Sequence, residues 1–110
     1  MPFIDTNNLA VIERLPGWHG RYFHSSAMTF GLYQFDSGAS IHEHLHEQEE
    51  VWNIIEGELE VTIDGVGRVA SAGVVAIVPS NTRHSVKALS SGRAIVVDTP
   101  RRPAFEPSSC

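Results

Sequence analysis

Apolar side chains recur at every second position through most of this chain and almost nowhere at the three-to-four spacing of a helix. Residues 59–63 alternate Leu, Glu, Val, Thr, Ile and stop at Asp64-Gly65, a strong tight-hairpin signal. Residues 29–35 are rich in aromatics and end at Asp36-Ser37-Gly38, while the apolar run 51–55 halts at Glu56-Gly57. Residues 74–78 run into Pro79, and 83–89 and 94–98 complete the series. Short strands separated by regular turn signals predict an all-β sandwich or barrel. Residues 7–15 fit either a short turn of helix or an edge strand. Trp18, His19, Gly20 and His24 fall in a stretch without clear pattern, and both histidines are expected at the surface or core edge. The whole chain, 1–110, reads as one domain: 1–28 as an N-terminal extension or edge strands, and 100–110, with three prolines and two serines, as a surface tail.

The chemistry gathers in one short run. His42, His44 and His46 alternate, followed by Glu49 and Glu50, and His84 lies just beyond Pro79. In an extended strand, residues two apart point the same way, roughly 6–7 Å apart. Two imidazoles held so can share one metal ion, and a carboxylate on the neighbouring strand can close the site. Trp52 and Ile54 share the parity of Glu50, as Val86 shares that of His84, and all should face the interior. Tyr33 and Phe35 share a face on the strand before the site, where they pack or wall a cavity. Gln48 is expected as a solvated turn residue, and Arg101-Arg102 as an exposed basic pair.

The spacing is specific. Gly38, five residues, His44, one residue, His46, three residues, Glu50, six residues and Gly57 form one block; Gly73, five residues, Pro79, one residue, Asn81, two residues and His84 form another. These blocks resemble the two signature motifs of the cupin superfamily, G-x5-H-x-H-x3-4-E-x6-G and G-x5-P-x-G-x2-H-x3-N. The first matches throughout. The second departs at Asn81, where the family has glycine, and at Ala88, where it has asparagine. Asparagine is among the few residues that tolerate the left-handed backbone a glycine provides. The resemblance implies a double-stranded β-helix, a small jelly-roll barrel with one metal ion in its mouth. Carried over by position, the ligands would be His44 and His46 from one strand, Glu50 from the next, and His84.

Such a donor set suits Fe, Mn, Ni, Cu or Zn in the divalent state and leaves coordination positions open for a small molecule. A second register, His42 and His44 with Glu49, also meets the looser spacing. In the first register His42 faces inward beside the metal, as a barrel histidine or a base contacting substrate. The resemblance is compatible with an enzyme acting on an oxygen-bearing small molecule (a dioxygenase, isomerase or lyase) and, alternatively, with a binding or sensing module that leaves its ligand unaltered.

A net charge of −5 offers no basic footprint for nucleic acid or anionic membranes. No apolar stretch approaches the roughly 18–20 residues that span a bilayer. The N-terminus lacks the features of a secretory signal, and the single Cys110 forms no internal disulfide, so a cytoplasmic setting is expected. The resemblance also implies a homodimer, and Phe3, Ile4, Leu9, Val11 and Ile12 supply an apolar N-terminal segment for it.

Overall fold

The computed structural model describes residues 3–103. Its strands are β1 (Ile12–Leu15), β2 (Trp18–His24), β3 (Thr29–Phe35), β4 (Ser40–His44), β5 (Glu49–Glu56), β6 (Glu58–Ile63), β7 (Val66–Ser71), β8 (Val75–Val78), β9 (His84–Ala88) and β10 (Gly92–Thr99). They form two antiparallel sheets, ordered β1-β2-β3-β10-β5-β8 and β4-β9-β6-β7. After β3 the chain passes from one sheet to the other at nearly every connection. The exception is the β6–β7 hairpin, turned at Asp64 and Gly65 with φ of 50° and 80°. This alternation is the expected jelly roll. Among the described residues, no helix is long and apolar enough to cross a membrane.

The N-terminal third is more regular than its sequence shows. Residues 7–15 contain both of the structures considered for them: a 3-10 turn at Thr6–Asn8, capped by Asp5, and then the edge strand β1. Trp18 opens β2 and is buried in the core, tilted edge-on to Trp52 at 5.8 Å and to Tyr33 at 6.0 Å.

Alternation then builds the site. Inward rows run Glu50, Trp52, Ile54 on β5; His84, Val86, Ala88 on β9; and Ala94, Val96, Asp98 on β10. Each row is apolar along the barrel and polar at one end, the first member on β5 and β9 and the last on β10. Glu50 lies opposite Asp98, and His44 opposite His84, so the polar members meet at one end. The expected parity of Trp52, Ile54 and Val86 holds.

Two loops carrying motif residues are tied together at that end. Asn81 adopts the left-handed conformation, φ 56°, in the glycine position, and its N–H donates to the His46 carbonyl at 2.8 Å. The Ser80 hydroxyl donates to the Glu47 carbonyl. A β-branched residue at position 81 would strain this stitch. Asn81→Gly should leave stability within about 0.5 kcal/mol, and Asn81→Val should cost about 1–2 kcal/mol in urea unfolding; equal stability of the two variants would contradict this.

Candidate metal centre

The three histidines of the two motifs reach one region by different routes. His84 begins β9 and His44 ends β4, opposite it in register, with their rings 4.3 Å apart. His46 lies beyond the end of β4, in the loop before β5, rather than on the same strand as His44. Its ring is 5.0 Å from that of His84 and 5.5 Å from that of His44. Ligand nitrogens of His44, His46 and His84 lie within 4.8 Å of one another, and so do donor atoms of His46, Glu50 and Asp98.

The ring orientations follow from backbone hydrogen bonds. Nδ1 of His44 meets the His42 carbonyl at 2.8 Å, Nδ1 of His46 the Gln48 carbonyl at 3.0 Å, and Nδ1 of His84 the Thr82 carbonyl at 2.8 Å. A carbonyl only accepts, so each Nδ1 carries the proton and, in the neutral ring, each Nε2 presents a lone pair. Nε2 of His84 is buried and has no hydrogen-bond partner among the described residues. Nε2 of His46 stands 3.0 Å from Glu50 Oε2, so two acceptors face each other unless the ring is protonated or a cation lies at the pair. That separation fits adjacent ligands that each lie about 2.1 Å from one ion. Three imidazoles and a carboxylate are the donors of a borderline transition ion, and the site fits such a group.

Glu50 is 4% exposed, and its carboxylate is held from several sides. Burial alone would raise its pKa, but the contact with His46 and hydrogen bonds from the Trp52 indole and Asp98 hold it down to about 2. Asp98 shows the reverse behaviour. Burial and then the facing Glu50 charge push it up to about 8, against the pull of Arg102. The pair therefore holds one proton through the neutral range, resting on Asp98. Burial lowers the pKa of His44 as well, which favours the neutral, metal-binding ring.

Several placements differ from expectation. The β4–β9 register slips between Ile41 and His44, a bulge that places Ile41 opposite Val86 and His44 opposite His84. His42 therefore does not simply share the face of His44. It is exposed at the cavity rim, and it orients His44 through its main-chain carbonyl. Glu49 is exposed while Glu50 points inward. Gln48 is buried rather than solvated, and its side-chain amide donates to the Arg101 carbonyl at 3.2 Å. Arg102 is half-buried, not a surface charge: one nitrogen lies 3.4 Å from Glu50 Oε2 and 3.8 Å from Asp98 Oδ2. Asp98 and Arg102 join the site without belonging to either motif. The inward parity of Asp98 on the run 94–98 was the available signal.

These residues open onto a cavity of about 320 Å3 walled by Trp18, Tyr22, Tyr33, Trp52 and Val86. Comparison with known proteins shows the family to which this fold belongs. A family model described as the cupin domain matches residues 31–100. The chain belongs to the cupin family. A crystal structure of an RmlC-like cupin from Shewanella frigidimarina is 25% identical, covers 96% of each chain and superposes with a TM-score of 0.89. The structure of KdgF from Halomonas is 26% identical over 93% of this cupin and 96% of that chain, with a TM-score of 0.85. An uncharacterized protein of Streptomyces coelicolor is 27% identical over 85 residues, 76% of this cupin and 81% of the relative.

The carboxyl pair makes the metal-free cupin sensitive to pH. Folded Asp98 holds its proton more tightly than in the unfolded chain, so its stabilising contribution is full below about pH 4 and is lost as pH rises to about 8. Glu50 has the opposite sign and acts only at lower pH, as its carboxylate protonates toward about 2. Urea unfolding of chelator-treated protein should show lower stability at about pH 8.5 than at about pH 5. Asp98→Asn, which mimics the protonated form, should remove most of that difference; an unchanged difference would contradict the assignment.

Proposed function

We propose that this cupin is a metal-dependent enzyme acting on an oxygen-bearing small molecule, with His44, His46, Glu50 and His84 as ligands of one divalent transition ion. One observation carries the reading. Three imidazoles are each locked by a main-chain carbonyl with Nε2 turned toward the others, and the Nε2 of His84 is buried without a hydrogen-bond partner among the described residues. An unpartnered buried acceptor is costly unless something fills its lone pair. When bound, such an ion supplies a Lewis-acid centre with open positions for a substrate oxygen.

The chain's own residues do the rest. Glu50 is kept ionised by its hydrogen bonds, and the Trp52 indole and Arg102 fix where its two oxygens point. Trp18, Tyr33 and Trp52 line the cavity with apolar surface and shape the volume that admits the substrate. His42, on the rim, is the candidate base, and the reaction itself (dioxygenase, isomerase or lyase) is left open. We further propose a cytoplasmic homodimer with no nucleic-acid or membrane partner. The exposure of Phe3, Ile4, Val11 and Ile12 supports the association.

Elemental analysis should find about one transition ion per chain in the wild type. His84→Ala should weaken metal affinity by at least about a hundredfold, whereas His42→Ala and Glu49→Ala should leave metal content unchanged. Loss of metal in His42→Ala with retention in His84→Ala would overturn the ligand set. Metal-reconstituted protein is then assayed for oxygen uptake and product formation with diketones, catechols and thiols; absence of turnover with every metal would overturn the dioxygenase version, and an unaltered ligand copurifying in equal amount would overturn the enzymatic reading. In light scattering, a particle at the single-chain mass of 12.1 kDa would contradict the dimer.

A further inference from the structure

A second register slip re-aims one arginine. In the β1–β2 pair Glu13 lies opposite His19 and Leu15 opposite Trp18, so the register shifts by one residue at Arg14. Regular alternation would send Arg14 and Leu15 to opposite faces. With the bulge, both are half-buried and both line the cavity. The Arg14 guanidinium lies over the Tyr22 ring, 5.1 Å from its centroid. Tyr22 meets Tyr33 edge-on at 5.7 Å, and Tyr33 lies parallel to Trp52 at 6.1 Å, so the cation stands at the outer end of an aromatic wall that reaches Glu50.

Charge gives this position meaning. The chain as a whole is acidic, with a net charge of −5. The cavity is not. Among the described residues its charged side chains are Arg14, Arg102, Glu50 and Asp98. With both carboxylates ionised, these four cancel, and a divalent ion on the histidines leaves the cavity positive. Arg102 lies against Glu50 and Asp98. Arg14 meets the cavity on an aromatic surface, where a planar guanidinium is well suited to receive a carboxylate through two parallel hydrogen bonds.

We propose that Arg14 is the specificity-determining residue of the site and that the substrate is a small carboxylic acid, its carboxylate held by Arg14 while a second oxygen group faces the metal ligands. This rests on the metal-site reading above. The cavity of about 320 Å3 is near the lower end of ligand pockets, which limits the substrate to a compact molecule.

The test uses Ni(II)-loaded full-length protein, with glutarate and its monomethyl ester as probes in calorimetric titration, after bound nickel has been counted. Wild type should bind the diacid at least about tenfold more tightly than the ester. In Arg14→Gln that preference should fall to within about twofold with nickel content unchanged, and Arg14→Lys should keep an intermediate preference, because a point charge replaces the planar fork. An undiminished preference in Arg14→Gln, or none in wild type, overturns the proposal while leaving the metal site intact. If the glutamine variant does not fold, Arg14→Lys decides alone: a reduced preference supports the proposal and an unchanged one overturns it. Failure of wild type to hold nickel overturns both this proposal and the function on which it rests.

Discussion

Imidazole lone pairs and a buried carboxylate crowd together here without enough protons to share, and the rest of the structure serves that arrangement. Three main-chain carbonyls take the Nδ1 protons of His44, His46 and His84, which removes the possibility that the rings satisfy one another through those atoms. What remains is a set of acceptors facing acceptors, an unfavourable state in a low-dielectric interior. A cation resolves it. The hydrogen bonds that fix the tautomers belong to the backbone, so the site depends on loop geometry as much as on the four side chains.

That geometry is a product of the barrel. Inward rows on β5, β9 and β10 stay apolar until they reach the mouth, and there a single step of alternation presents Glu50, His84 and Asp98. His46 has no strand to hold it and is placed by the stitch between residues 45–48 and 79–82, in which Asn81 donates to its carbonyl. Beneath the polar ring, Trp18, Tyr33, Phe35 and Trp52 form a dense aromatic layer. It packs in one cluster with the aliphatic core residues Ile54, Leu59 and Val61. Register slips in β4 and in β1 fit regular sheets around an irregular cavity, leaving His42 at its rim and bringing Arg14 to its wall.

Much of this was legible from residue order because strand alternation is a rigid rule. The parity of Glu50, Trp52 and Ile54, the hairpin at Asp64-Gly65, and a left-handed Asn81 in place of glycine all follow from local backbone physics. Bulges break that rule, and nothing in the run from His42 to His46 marks where the extra residue enters. For that reason the bulge beside His42 and the place of His46 beyond the end of β4 are not visible in the sequence. Strand β2 falls within the expected N-terminal extension or edge strands, but its bounds are hidden because its glycine at position 20 and its polar residues blur the alternation. The ring of Tyr22 occupies the space a Cβ at Gly20 would fill, a contact that only the folded sheet creates. Asp98 and Arg102 were missed for a different reason. They join the site by long-range pairing, Asp98 opposite Glu50 and Arg102 from a proline-containing segment that resembles a tail.

The most direct test is anomalous diffraction from crystals of the metal-loaded protein, collected on both sides of the ion's absorption edge. The account predicts one strong peak within about 2.0–2.3 Å of Nε2 of His44, His46 and His84 and of a Glu50 carboxylate oxygen. A peak held instead by His42 or Glu49, or no peak at these four side chains in protein that carries stoichiometric metal, would contradict it.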